Sequence, residues 1–283
     1  MPQFHPAIAA GKLAVITGAA SGIGRATAAR LAELGMRVCL VDLEEPALAA
    51  AAATLPGSGH ATFAIDVSDR SAVESLAGKI TGEFGPVAVL MNNAGVGGGG
   101  DALSNPDGWT RVMGVNFFGV LHGVQAFAPA MAESGEPGLV INTGSKQGIT
   151  QPPGDTAYNV SKSAVKALTE GLAHTLRNRP GCQISAHLLI PGFTYTGMTA
   201  RRSPEPPPGA WRPEQVVERM LEGIASGEFY ILCQDNETTR TQDEKRILWA
   251  AQDLIESRPA LSRWHPDWQE AFAKFMTDGA AST

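Results

Sequence analysis

The chain has 283 residues and a net charge of −6, a length that suits one large α/β domain whose core needs neither a disulfide nor a metal. Its basic residues are scattered, which argues against nucleic acid as a partner, and no basic leader or apolar stretch of about 18 residues marks an export signal or a membrane span. The three cysteines, Cys39, Cys182 and Cys233, stand apart in apolar surroundings, so buried thiols in a reducing, cytoplasmic compartment are expected, with no metal site.

Lys12 to Thr17 is a short β-branched apolar run that stops at Gly18, and Gly22 and Gly24 follow before an Ala-rich helical pattern through Gly35. Strand, glycine turn and helix in that order leave backbone N–H groups free at a helix N-terminus, where a pyrophosphate can approach with no Cβ in the way. The spacing Gly-x-x-x-Gly-x-Gly differs from the Gly-x-Gly-x-x-Gly fingerprint, and no Gly-Lys-Ser/Thr follows, which disfavours a nucleotide triphosphatase. The plainer alternative is a tight turn that lets the helix pack closely. The next strand, Arg37 to Val41, ends at Asp42, whose carboxylate can accept both ribose hydroxyls of an adenosine and would repel a 2′-phosphate, favouring NAD over NADP. Capping of a helix that starts near Glu44 is the other use open to Asp42. Arg25 and Arg37 are the nearest cations that bear on the cofactor preference.

A third strand, Thr62 to Ile65, leads into Asp66-Val67, and Ser68-Asp69 caps a helix to about Phe84. A fourth, Val87 to Leu90, runs into Asn92-Asn93-Ala94-Gly95 and a glycine run to Gly100. Strands alternating with helices predict a parallel sheet whose loops at the strand carboxyl ends share one rim. Asn105-Pro106-Asp107 opens one long helix to about Glu133, and Asn116 in its middle is either a polar residue satisfied by packing or one that holds a kink and a water near a site. The fifth strand, Leu139 to Ile141, ends at Asn142-Thr143-Gly144-Ser145. After Pro152-Pro153-Gly154, Asp155-Thr156 caps a helix to about Arg179, on which Tyr158 and Lys162 lie one turn apart on the same face.

The sixth strand, Gln183 to Ile190, ends at Pro191-Gly192-Phe193-Thr194-Tyr195-Thr196. A proline-rich flap comes next, with a helix from Pro213 to about Ser226, a last strand at Phe229 to Cys233 and a helix over Thr238 to Ser257. Pro266 then starts a helix with Trp268, Phe272 and Phe275 on one stripe, a docking surface or, on another reading, a pocket lid or subunit contact. The expected architecture is one α/β domain over 1–283 with a mainly parallel, seven-stranded, doubly wound sheet. The flap (193–227) and a helical extension (234–283) are its appendages.

As a set, Thr17-Gly18-x-x-x-Gly22-x-Gly24, Asp66-Val67, Asn92-Asn93-Ala94-Gly95, Asn116, Ser145, Tyr158-x-x-x-Lys162 and Pro191-Gly192-x-x-x-Thr196 resemble the tyrosine-dependent short-chain dehydrogenase/reductase family over about residues 12–196. The resemblance implies a Rossmann-like fold in which Gly18, Ser21, Gly22, Ile23 and Gly24 bind the pyrophosphate, Asp42 the ribose, and Asp66 with Val67 the adenine. It implies that Asn93, Ala94 and Gly95 line the cofactor, that Pro191, Gly192, Thr194 and Thr196 touch its nicotinamide end, and that Asn116, Ser145, Tyr158 and Lys162 form a catalytic tetrad. Of these, Tyr158 and Lys162 also contact the cofactor. Three departures stand out: Gly144-Ser145 replaces a pair of serines, with Thr143 as the fallback hydroxyl; Thr194 stands where a Val is frequent; and the glycine-rich carboxyl terminus is replaced by the segment from Gln234 to Thr283.

The activity so implied is hydride transfer between NAD and a secondary alcohol or ketone. Lys162 and the oxidised nicotinamide are expected to lower the phenol pKa so that Tyr158 takes the alcohol proton, with Ser145 bonding the substrate oxygen and Asn116 holding a water that links Lys162 to solvent. Val96, Gln147, Pro153, Phe193 and Met198 are expected to face the substrate in a largely apolar pocket. Reduction of a 3-oxoacyl thioester, with Arg201, Arg202 and Arg212 at the entrance, or of a ring-conjugated carbonyl is the alternative chemistry. A non-catalytic nucleotide sensor or scaffold is the alternative of another kind. The resemblance further implies a homo-oligomer, dimer or tetramer, joined through the helices that carry Asn116 and Tyr158; the lack of a long apolar stretch leads to the expectation of no membrane partner.

Overall fold

A computed structural model describes residues 4–197 and 205–278. Seven strands, β1 (Leu13–Thr17), β2 (Arg37–Asp42), β3 (Ala61–Ala64), β4 (Val87–Asn92), β5 (Gly138–Thr143), β6 (Ile184–Ile190) and β7 (Tyr230–Leu232), pair in parallel in the order β3-β2-β1-β4-β5-β6-β7. A parallel sheet survives only with both faces covered, and all five residues of β1 and all six of β5 are buried.

The period-2 alternation divides the core. Ala14, Ile16, Val38 and Leu40 pack on one face against α1 (Gly22–Glu33) and α2 (Glu45–Ala52), together with a helix at Pro213–Ala225. Leu13, Val15, Cys39 and Val41 pack on the other against α3 (Arg70–Phe84) and two further helices, Gly119–Glu133 and Thr156–Arg177. The strand order reverses between β1 and β4, so the glycine turn after β1 and the Asn-rich loop after β4 lie side by side, the place where such sheets take ligands.

The single long helix expected from Asn105 to Glu133 is three pieces: α4 (Pro106–Met113), a π-helical segment (Gly114–Phe118) and α5 (Gly119–Glu133). The hydrogen-bond register widens around Asn116, which pairs with another segment, so tertiary contact overrides the helical pattern there. A short α6 (Gln147–Thr150) precedes α7 (Thr156–Arg177) and is too brief to show as a period. The proline-rich stretch gives way to α8 (Pro213–Ala225), whose Val216, Val217, Met220, Leu221 and Ile224 enter the core.

The carboxyl-terminal segment comprises α9 (Arg240–Ile255), two 3₁₀ turns at Ser262–Trp264 and Pro266–Trp268, and α10 (Gln269–Thr277). The aromatic stripe docks within that segment: the Trp249 ring on α9 lies 6.2 Å from Trp268, 5.3 Å from Phe272 and 5.1 Å from Phe275. Cys39 and Cys233 are buried, and burial pushes both thiols up to about 12, whereas Cys182, expected to be buried, is only half so because it lies on the turn before β6. Among the described residues no helix is long and apolar enough to cross a membrane, and no cluster of His, Cys, Asp or Glu could hold a metal ion.

Candidate active site

The turn after β1 is shaped by glycine. Gly18 and Gly22 have φ of +66° and +53°, and a Cβ on Gly24 would lie 2.2 Å from the Gly18 carbonyl oxygen. Ser21 stands at the N-cap of α1 in an extended conformation and makes no side-chain capping bond, so the first-turn N–H groups and the positive end of the helix face the turn, with buried Ile23 behind them. The free first-turn N–H groups make this turn a cradle that suits a dinucleotide pyrophosphate, and the glycines let it pack closely against Asn93, Ala94 and Thr196.

Asp42 ends β2 beside this turn. Its Oδ2 accepts the Ala20 N–H at 2.9 Å and its Oδ1 the Leu43 N–H at 2.7 Å, while Glu44 occupies the N-cap of α2 without a side-chain bond, so Asp42 does not cap that helix. Arg37 is spent elsewhere, donating to the carbonyls of Gly11 (3.1 Å) and Phe84 (3.0 Å) at the start of β2. Arg25 lies exposed on α1. Asp66 is exposed, its Oδ1 accepting the Ser68 N–H at 2.8 Å, and Val67 is buried against Gly119, which leaves no room there for a Cβ.

Asn93 joins three strand ends. Its backbone N–H donates to Thr17 Oγ1 (2.9 Å), its Nδ2 to the Thr17 carbonyl (3.2 Å), and its Oδ1 accepts the Thr143 hydroxyl (3.3 Å). The Ala94 N–H also donates to Thr17 Oγ1, at 3.1 Å. The loop after β6 closes the group: the Thr196 side chain sits 3.0 Å from the position a Gly22 Cβ would take, and the Pro191 carbonyl accepts the Lys146 N–H at 3.2 Å. Thr194 is buried, with its hydroxyl on the Gly192 carbonyl (3.2 Å) and its backbone bridged to Trp211.

The four tetrad positions converge. Asn116, fully buried in the π segment, clasps Val96: Nδ2 donates to the Val96 carbonyl (2.9 Å) and to Ser161 Oγ (3.1 Å), and Oδ1 accepts the Val96 N–H (2.7 Å). The π segment and the satisfied amide thus occur together. Lys162 is 3% exposed and donates to the Thr143 carbonyl at 2.8 Å, and burial pulls its ammonium down to about 8. A Cβ on Gly95 would lie 3.4 Å from Asn116 Oδ1 and 3.6 Å from Lys162 Nζ, which places those two groups beside the same small residue.

Tyr158 is half-buried as a residue with its hydroxyl enclosed, and Lys162 Nζ is 5.8 Å from its ring centroid. The expected fall in the phenol pKa is not what the protein's own groups produce. Burial raises it, the hydrogen bond with Ser145 opposes that rise, and the Asp155 carboxylate adds to it. Loss of solvent around a phenolate outweighs one hydroxyl donor, and the Lys162 ammonium is committed to Thr143. Ser145 Oγ also accepts the Gln147 N–H at 3.2 Å. Thr143, the fallback hydroxyl, gives its O–H to Asn93 and its carbonyl to Lys162, a supporting place behind the tetrad.

Asp155 was legible only as a helix cap. It does accept the Tyr158 N–H at 3.1 Å, but its other oxygen takes the N–H groups of Gly98 (2.7 Å) and Gly99 (3.3 Å), tying the glycine run to the Tyr158 helix. The substrate-facing residues are only partly brought together. Val96 is half-buried beside Asn116, Phe193 is 43% exposed, and Gln147 is exposed on α6. Pro153 instead lines a groove of about 390 Å³ with Pro152, Val160 and Leu261, apart from Tyr158 and Ser145. Met198, Arg201 and Arg202 lie outside the described residues.

The sequence profile described as short chain dehydrogenase matches residues 12–207. The chain is 33% identical over 246 residues to the 1-deoxy-11-beta-hydroxypentalenate dehydrogenase of Streptomyces avermitilis, covering 83% of this chain and 89% of that one. A short chain dehydrogenase/reductase from Burkholderia phymatum, solved in complex with NAD, superposes with a TM-score of 0.79 at 38% identity, covering 88% of this chain and 96% of that one. A metagenomic short-chain oxidoreductase, solved in complex with NADP, superposes with a TM-score of 0.65 at 29% identity, covering 80% and 98%.

Proposed function

The chain belongs to the short-chain dehydrogenase family and is an NAD(P)-dependent oxidoreductase of alcohols and ketones, and from that premise we propose that it uses NAD on a secondary alcohol or ketone with Tyr158 as general acid and base. The observation that carries the reading is the convergence of Tyr158, Ser145, Lys162 and Asn116 at one strand-end rim, beside the glycine cradle.

Gly18, Ser21, Gly22, Ile23 and Gly24 would hold the pyrophosphate, Asp42 the ribose, Asp66 and Val67 the adenine. Asn93, Ala94, Gly95, Pro191, Gly192, Thr194 and Thr196 would lie along the rest of the dinucleotide. When bound, the nicotinamide supplies the acceptor or donor of hydride. Tyr158 takes the hydroxyl proton in oxidation and returns it in reduction, while Ser145 donates a hydrogen bond to the substrate oxygen as charge develops there. Lys162 places a cation behind the phenol, and Asn116 Oδ1 keeps one lone pair for a water between Lys162 and solvent. Asp42 supports NAD over NADP, because its carboxylate would meet a 2′-phosphate and Arg37 is committed to backbone carbonyls. The NAD complex of the Burkholderia relative supports the same choice and the metagenomic NADP complex opposes it, so the preference rests on Asp42.

A free alcohol is favoured over a thioester because a thioester carrier calls for a basic entrance, and the stretch from Arg201 to Arg212 offers only three cations for one. We read the whole chain as one catalytic unit that works in the cytoplasm as a homodimer or homotetramer. Exposed Phe118 (45%) and Val160 (41%), on the π segment and α7, support a contact there. The test is a panel of cyclohexanol, 2-octanol, a 3-hydroxysteroid and a 3-hydroxyacyl thioester, each with NAD and with NADP, read as absorbance of the reduced nicotinamide. Turnover of a secondary alcohol with NAD is expected. Preference for the thioester or for NADP would overturn the corresponding part of the reading, and no consumption with any member would favour a silent nucleotide binder.

A further inference from the structure

Lys146 directly follows Ser145 and was not singled out by the sequence, yet its side chain is largely buried. Its Nζ lies 3.1 Å from Asp235 Oδ2 and 2.6 Å from Asp243 Oδ2, carboxylates whose side chains are 9% and 5% exposed. Both acids come from the carboxyl-terminal part of the chain: Asp235 follows β7, and Asp243 sits in the first turn of α9, whose N-terminus is fixed by a capping box of Thr239 and Gln242. Arg246, one turn along, stands 3.9 Å from Asp243 Oδ1 and donates to Thr238 Oγ1 at 3.1 Å.

The cluster grips both loops that meet at the reacting centre. The Lys146 N–H donates to the Pro191 carbonyl at 3.2 Å, and Asp235 also accepts the Phe193 N–H. A Cβ on Gly192 would fall 2.8 Å from both Asp235 Oδ2 and Lys146 Nζ. Gly192 is therefore small because the ion cluster packs against its backbone. Burying an ammonium with two carboxylates costs solvation that the pairing only partly returns, so such a cluster contributes more to geometry than to net stability.

We propose that Lys146, held between Asp235 and Asp243, is a positioning residue that keeps the Ser145 hydroxyl and the Pro191–Phe193 backbone in register. The segment after β7 is then a working part of the catalytic site. The proposal rests on the reading of Ser145 and Tyr158 as the reacting pair.

The test uses full-length Lys146→Met, Asp243→Asn and their double variant, with the best secondary alcohol of the panel and NAD. Each single variant is expected to lose about 10- to 100-fold in kcat, as for a small misplacement of a reacting group, with the NADH dissociation constant unchanged within about threefold. The double variant is expected to be no worse than Lys146→Met by more than about threefold, since the three charges act as a unit. Amide hydrogen exchange of residues 145–150 and 191–197 is expected to quicken at least about tenfold in Asp243→Asn while α1 keeps its protection. Native kcat in both single variants, a kcat loss that only tracks lost NADH binding, or failure of both to fold would each overturn the proposal. If the wild type oxidises no alcohol, the functional reading falls, and the exchange experiment alone decides the clamp, with unchanged exchange overturning it.

Discussion

Lys146 and Lys162 flank the same short stretch of chain, and both carry an ammonium out of solvent, but on opposite terms. Among the described residues Lys162 meets one neutral acceptor, the Thr143 carbonyl at 2.8 Å, and no carboxylate, and burial pulls its pKa down to about 8. Lys146 meets two carboxylates, at 3.1 and 2.6 Å. An ammonium without a counter-ion is held at a solvation cost and lies close to releasing its proton, which suits a group that works beside an acid-base phenol. One locked between carboxylates serves geometry instead.

Removing the uncompensated charge is the strongest way to break that contrast. Lys162→Met is expected to lose about 10²- to 10⁴-fold in kcat, the range of an acid-base contribution, and yet to melt at a higher temperature at pH 7. A pKa moved from 10.5 to about 8 corresponds to about 3 kcal/mol of destabilisation at neutral pH, less whatever the bond to Thr143 returns. The sign follows from proton counting. Between pH 8 and 10.5 the unfolded chain binds the proton and the folded one does not, so wild-type stability from this group rises with pH across that window and the variant lacks the rise. Calorimetric scans from pH 7 to 10 check both parts, and a lower melting temperature of the variant at pH 7 would contradict them.

The pH profile sharpens the same contrast at Tyr158. Burial holds its phenol above the ordinary value, so the base form is scarce at neutral pH. Alcohol oxidation measured as kcat/KM is therefore expected to rise with pH, by up to about tenfold per unit from pH 7, while ketone reduction, which uses the protonated phenol, stays level over that range. An oxidation rate that falls as pH rises would contradict this.

Much of this was legible in advance because it is local. Apolar runs with glycine and asparagine at their ends placed seven strands, and their alternation with helices made the sheet parallel, whereas the strand order is read from the fold. The four-residue spacing of Tyr158 and Lys162 needs only a helix to bring the two side chains onto one face. What was missed is long-range or depends on packing. The π segment at Gly114–Phe118 exists because the Asn116 amide pairs with Val96, 20 residues away, and the two Lys146 carboxylates come from the far end of the chain. Strands β4 and β5 run on through Asn92 and Thr143 because their backbones continue the ladder there, whatever the side chains prefer. The direction of the Tyr158 shift depends on how much solvent the folded cleft removes, which spacing does not encode.

The smallest expected effect concerns Thr143, which supports Lys162 with its carbonyl and Asn93 with its hydroxyl. Thr143→Val keeps the shape and the carbonyl but leaves Asn93 Oδ1 short of a donor, so a loss of about 1 kcal/mol in urea unfolding is expected. Turnover should stay within about threefold of the wild type, since the carbonyl that holds Lys162 is retained. A near-complete loss of turnover would make Thr143 the hydroxyl that Ser145 is taken to be.

The most direct measurement is steady-state oxidation of the panel's best secondary alcohol by Tyr158→Phe with NAD, alongside a fluorescence titration with NADH. With Tyr158 as the acid and base, kcat falls by at least about 100-fold while NADH binds within about threefold of the wild type. Near-native turnover by the variant would contradict the role given to Tyr158.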